Sequence, residues 1–126
     1  MTTSAKTMRG LGSAGTGTQH HIRQRVTALA LVFLVPWFLY SIIHACKAGY
    51  EGALIWVAQP VNAILLILTL SAALYHMRLG LQVTIEDYIA KSGTRQALLI
   101  LNTFAVFALA AATILSVLKI WFTAGA

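Results

Sequence analysis

The chain has 126 residues, 59% of them hydrophobic and only 10% charged, with Lys+Arg 9 against Asp+Glu 3 for a net charge of +6. An ordinary soluble domain carries about 25% charged residues, and one of this length cannot hide so much apolar surface. Disordered chains are polar and charge-rich, so disorder is excluded too, leaving a small integral membrane protein whose basic residues orient it in the bilayer and do not mark a nucleic-acid binder.

Residues 1–25 are small and polar, with Lys6, Arg9, Arg23 and Arg25 and no acid. Their glycines, serines and threonines predict a flexible tail. The segment does not read as a secretory signal, because the apolar run after it is too long for an h-region and no clear small-residue cleavage site appears. A transit-peptide reading stays open, since the tail is acid-poor. Residues 26–126 then form a membrane domain with three spans at about 26–46, 61–81 and 97–122, each near the roughly 20 residues a crossing helix needs.

Pro36 lies in the middle of the first span. It has no N–H, so a kink is expected there, with the carbonyl of Val32 freed. Lys47 to Gly52 reads as a short polar break containing Gly49 and Gly52. Residues 52–59 read as an interfacial turn, with a helical form open to it, and Trp56 at headgroup depth. Gln59, Pro60 and Asn62 interrupt the apolar pattern before the second span. Residues 78–96 form the second loop, whose first part prolongs the second helix. In the third span Ala108, Ala112 and Ser116 recur every fourth residue, a spacing that permits close helix contact. Cys46, the single cysteine, excludes an internal disulfide framework and a Cys-clustered metal site.

Arg23, Arg25, Arg78, Lys91 and Arg95 fall in the tail and the second loop, whereas the first loop and the C-terminus offer Lys47 and Lys119. The positive-inside rule therefore predicts an inner N-terminus and an outer C-terminus.

Ionisable groups inside a membrane are functional suspects. His20 and His21 lie before the first span. His44 sits near its outer end, beside Lys47. His76 lies within the second helix, with Gly80 one turn on along the same face. A histidine beside a glycine leaves a slot that suits a haem, which needs an imidazole nitrogen on iron and room for the macrocycle. Equally, His76 can hydrogen-bond a neighbouring helix, and spacing alone leaves both readings open. His44 is about 27 Å along the first helix from its inner end at 1.5 Å per residue, too far in depth to share one iron with His76. A two-histidine haem would therefore take its second ligand from another chain. Downstream, Glu86 and Asp87 hold two of the three acids, next to Tyr88. A carboxylate beside a phenol at the interface can hydrogen-bond a polar head group and relay protons. The plain alternative is a solvated loop with Tyr88 as an interfacial anchor.

The glycine-rich stretch 10–28 leading into the first span, His76-x-x-x-Gly80 at the end of the second, and Asp87-Tyr88 eleven and twelve residues after the histidine together resemble the small hydrophobic D-type membrane anchor subunit of succinate dehydrogenase, respiratory complex II. The Ser and His-Arg pattern usual before the first span of the partner C-type subunit is not evident. The resemblance implies an all-α membrane protein whose three transmembrane helices belong to a heteromeric helix bundle. It implies a haem b shared with a second cytochrome b-type anchor subunit, and a ubiquinone site fed by an iron–sulfur subunit and a flavoprotein subunit. Electrons would pass from succinate to quinone in the respiratory chain and the tricarboxylic acid cycle.

Carried over by position, His76 resembles the axial haem ligand and Tyr88 the tyrosine that hydrogen-bonds a quinone carbonyl. Asp87 resembles the adjacent acid, and Arg25 the arginine near the haem propionates and the quinone pocket. His20 and His21 have no counterpart and stay inner-face candidates. The chain alone would hold no complete active site. The expected location is a bacterial inner membrane with a cytoplasmic N-terminus, in preference to a mitochondrial inner membrane, in contact with lipid and without nucleic acid. Two other readings remain: a fumarate reductase-type anchor, and a cofactor-free structural or transport protein.

Overall fold

The computed structural model describes residues 12–124, so the expectations for Lys6 and Arg9 lie outside the described residues. Three helices follow one another: α1 (Gly12–Ala58), α2 (Pro60–Tyr88) and α3 (Ser92–Ala124). All three are long and apolar enough to cross a membrane. At 1.5 Å per residue, α2 and α3 run about 43 and 50 Å, beyond the roughly 30 Å hydrocarbon layer. Their ends therefore project from it.

α2 is the central helix. It packs along both neighbours, while α1 and α3 touch each other less. Most buried positions are small or polar: Ser41 and Ala58 on α1, Asn62, Ala63 and Thr69 on α2, and Asn102 on α3, joined by the apolar Leu79, Val106 and Val117. Small residues let membrane helices approach closely, where dispersion and hydrogen bonds drive association because lipid is as apolar as leucine. No large side chain is fully buried among the described residues, and Phe33, Phe104 and Phe107 stay about two-thirds or more exposed. Such a surface fits contact with lipid and with further helices. Ala108, Ala112 and Ser116 are exposed. The small-residue stripe is therefore not buried against the other two helices, because α3 turns Asn102, Val106 and Val117 inward instead.

Three local features differ from the sequence reading. α1 is already helical at Gly12, so residues 12–25 extend the first span as a helix. Elongating an existing helix adds one hydrogen bond per residue without a new nucleation cost. Pro36 is accommodated with helical dihedrals. The one non-helical residue within α1 is Gly49, at φ 77° and ψ −177°. The polar break expected over residues 47–52 thus narrows to one glycine, after which residues 50–58 form a short helix lying before α2. Gln59 ends that helix and caps the next, Pro60 takes the first position of α2, where its missing N–H costs nothing, and buried Asn62 donates to the Trp56 carbonyl at 2.9 Å and to Gln59 Oε1 at 3.1 Å. At the far end α2 runs on to Tyr88, so the turn to α3 is only residues 89–91.

The Gly49 conformation is essentially restricted to glycine. Gly49→Ala is expected to cost about 1–3 kcal/mol, read as a lower melting temperature of the detergent-purified complex. Gly93→Ala is the control. Its added Cβ meets nothing within 4 Å at a helical position, and it should leave stability unchanged or slightly raised.

Candidate functional site

Most basic residues of the described chain lie at the end of the bundle that carries the start of α1 and the α2–α3 turn. Arg23, Arg25, Arg78, Lys91 and Arg95 make this the basic end. Here α1 and α2 enclose a groove of about 400 Å³ lined by His21, Gln24, Arg25, Ala28 and His76. The four α1 residues follow i, i+3, i+4, i+7 spacing, so they form one stripe along the helix. The structure therefore brings Arg25 and His76 together, and adds His21 and Gln24.

His76 is partly buried and reaches α1 through one ring nitrogen. Its Nδ1 lies 2.9 Å from Thr27 Oγ1. The same hydroxyl is 2.9 Å from the Arg23 carbonyl and 3.0 Å from the Gln24 carbonyl. Hydroxyl-to-carbonyl bonds of this kind are common for threonine in helices. The interhelical bond foreseen for His76 is thus present, and it occupies only Nδ1. Nε2 makes no hydrogen bond within the described residues. Gly80, one turn on, has nothing within 4 Å of where a Cβ would stand. An imidazole nitrogen without a hydrogen bond, open space beside Gly80 and a guanidinium on the groove fit a haem, whose iron would take the nitrogen and whose carboxylates would take the guanidinium. No cluster of three or more His, Cys, Asp or Glu able to hold a metal ion occurs among the described residues. A haem would require just the one ligand from this chain.

Asp87 and Tyr88 end α2 and are exposed, Tyr88 to 82%. They do not line the groove. At 3.6 residues per turn, eleven residues bring Asp87 to within about 20° of His76 around the helix and roughly 16 Å further along it. His76, Gly80 and Asp87 therefore share a face of α2, and Tyr88 stands off it by about 100° more. Glu86 accepts a hydrogen bond from Gln82 Nε2 at 3.1 Å, so of this acidic pair only Asp87 lacks a side-chain partner among the described residues.

His44 is at the opposite end. Its ring centroid is 4.0 Å from that of Trp56 and 6.2 Å from that of Tyr40. Since His76 meets α1 at Thr27, seventeen residues earlier, the two histidines differ in depth by about 25 Å. His20 is partly buried, with Nε2 closed off and unpartnered. It lies seven residues before Thr27, on the same side of α1.

Several contacts had no place in the sequence reading. Arg78, counted there only as a topogenic charge, donates from Nη2 to Thr103 Oγ1 at 3.5 Å, while its carbonyl accepts from Asn102 Nδ2 at 3.1 Å. It thus pins α2 to α3, whereas His76 pins α2 to α1. The α1 stripe was detectable from its spacing. The Thr27 contact was not, because it depends on the α1–α2 register.

A family model described as "Succinate dehydrogenase/Fumarate reductase transmembrane subunit" matches residues 1–119. The chain is 40% identical over 93 residues to a succinate dehydrogenase hydrophobic membrane anchor subunit of Rickettsia bellii (strain RML369-C), covering 73% of this chain and 74% of that protein. It is 34% identical over 112 residues to the subunit of the same name from Paracoccus denitrificans, covering 89% and 86%. The corresponding Rickettsia conorii protein is 34% identical over 91 residues, 71% and 72% of the two chains. No solved structure gives a significant match. The chain belongs to the succinate dehydrogenase/fumarate reductase transmembrane subunit family, as a succinate dehydrogenase membrane anchor subunit.

Proposed function

From that membership we propose that the chain is one of two membrane anchors of a succinate:ubiquinone oxidoreductase, that it supplies one axial ligand to a b-type haem, and that it forms part of the ubiquinone-reduction site. The observation that carries this reading is His76, held through Nδ1 by Thr27, with Nε2 making no hydrogen bond among the described residues and the residue lining a groove shared with Arg25. The haem, when bound, exchanges single electrons. The residues of this chain would do the rest. His76 Nε2 would hold the iron from one side, and a second anchor subunit would supply the opposite ligand. Arg25 would neutralise a propionate and border the head-group pocket. Tyr88 would donate a hydrogen bond to a quinone carbonyl, and Asp87 would pass protons to the reduced ring from the aqueous side. Flavoprotein and iron–sulfur subunits would deliver the electrons from succinate at the basic end, whose charge suits docking of a peripheral partner or acidic lipid. That end would then be cytoplasmic, with the complex in a bacterial inner membrane.

The test is the difference spectrum of the complex purified in mild detergent, dithionite-reduced against oxidised. The expected result is one b-type haem per copy of this chain, with flavoprotein and iron–sulfur subunits co-purifying and ubiquinone reduced at the expense of succinate. A complete complex without haem would show that the His76–Thr27 bond serves only to join helices. Preferential reduction of fumarate by a low-potential quinol would place the chain with fumarate reductase anchors.

A further inference from the structure

We propose that Thr27 is a positioning residue for His76: its hydroxyl oxygen accepts the Nδ1 proton and so selects the tautomer in which Nε2 is a lone-pair donor. The inference rests on the reading of His76 as the haem ligand and adds the device that prepares it.

The argument is proton bookkeeping around one oxygen. Thr27 Oγ1 has a single hydrogen and three neighbours within 3.0 Å: the Arg23 carbonyl, the Gln24 carbonyl and His76 Nδ1. The carbonyl oxygens can only accept, so either of them calls for the hydroxyl hydrogen. With the hydrogen shared toward the two carbonyls, the oxygen presents a lone pair to Nδ1, which must then carry a proton. A neutral imidazole has one N–H, so Nε2 is left bare on a residue that lines the groove. The reverse arrangement has Thr27 donating to Nδ1. It would put the proton on Nε2, abandon both carbonyl contacts and turn that nitrogen into a donor unable to bind a metal. The three distances favour the first arrangement, because it satisfies every neighbour at once.

The placement of Thr27 adds a second consequence. It sits on α1, whereas His76 sits on α2, so the ring plane is tied to the helix that also carries Arg25, two residues before Thr27. The hydrogen bond would hold ligand and guanidinium in a fixed relation across the groove. A ligating histidine whose other N–H meets an acceptor is more basic and better oriented, and loss of such a partner typically costs 10–100-fold in metal affinity. The more basic imidazole favours the ferric state, so Thr27 would hold the haem potential down.

The test measures the haem midpoint potential and haem content of the whole complex carrying Thr27→Val, Thr27→Ser or His76→Leu. Valine keeps the β-branched shape and removes the acceptor, whereas serine restores it. Thr27→Val is expected to raise the midpoint through about a tenfold change in the ferric-to-ferrous affinity ratio, equal to about 59 mV for a one-electron couple. Thr27→Ser is expected to stay near wild type. Haem loss confined to the valine variant would support the same conclusion. An unchanged potential in Thr27→Val, or an equal effect in the serine and valine variants, would overturn it. If those results accompany loss of haem in His76→Leu, only the Thr27 inference falls. Wild-type haem in His76→Leu removes the ligand reading itself and the inference with it.

Discussion

If His76 ligates a haem as proposed, replacing it by leucine is expected to remove most of the b-type absorption of the purified complex, at least about a tenfold loss of haem content, while the complex still assembles. Leucine is of similar bulk and suits a membrane helix. The substitution deletes both ring nitrogens, yet it strands little. Thr27 Oγ1 keeps the Arg23 and Gln24 carbonyls as partners at 2.9 and 3.0 Å. α2 remains tied to α3 through Arg78, Thr103 and Asn102. Loss of haem would therefore report the missing ligand and not a collapsed helix pair. The low-spin spectrum is the sharper readout, because a haem retained with one ligand gone becomes high-spin or changes its band positions. An unaltered low-spin spectrum at normal haem content would exclude His76 as the ligand. Haem content and assembly are measured separately, by difference spectroscopy and by size-exclusion chromatography.

The three spans were legible because the bilayer imposes a length that a run of apolar residues either meets or misses. Their boundaries were less so. Hydropathy marks where a helix leaves the hydrocarbon, not where its hydrogen bonds stop. α1 therefore begins at Gly12, well before residue 26, and α2 continues to Tyr88, well past residue 81. The polar sequence Lys47 to Gly52 contains two glycines that do different work. Gly49 makes the turn at positive φ, while Gly52 lets the chain pass Ala48, where a Cβ would come within 2.6 Å. A single sequence offers no signal to separate those roles. Pro36 does not break α1, because the backbone around it keeps helical dihedrals despite the lost donor and the freed Val32 carbonyl. In the candidate site, His76, Gly80 and Asp87 could be placed on one face from spacing alone, since helical phase is local. What joins them to α1 is not local. His21, Gln24 and Arg25 reach the groove, and Thr27 reaches Nδ1, only because α1 and α2 pack in one register. That register depends on how the helices pack along their whole length, which a single sequence does not spell out.

Tyr88→Phe is expected to lower kcat/KM for ubiquinone by about 10–100-fold, while oxidation of succinate with a water-soluble artificial acceptor stays at the wild-type rate. The reasoning starts from how little Tyr88 does for the fold. It is the last residue of α2, 82% exposed, and its hydroxyl has no hydrogen-bond partner within the described residues. Removing one oxygen there should change stability by less than about 0.5 kcal/mol. A phenol that donates to a quinone carbonyl matters most as negative charge develops on that oxygen during reduction. A donor placed against such charge is worth about 2.7–4 kcal/mol when the site excludes water, and less at a wetter interface, which sets the expected range. Asp87→Asn keeps a side chain of the same shape and removes the carboxylate. If Asp87 relays the protons, that variant should depress the maximal rate of quinone reduction more than the ubiquinone KM, and the deficit should shrink when a small carboxylic acid is added as a soluble proton carrier. Equal activities with ubiquinone and with the artificial acceptor in both variants would leave Asp87 and Tyr88 as an ordinary interfacial helix end. A quinone-specific loss in Tyr88→Phe with haem content unchanged would separate the head-group site from the His76 groove about 16 Å away along α2.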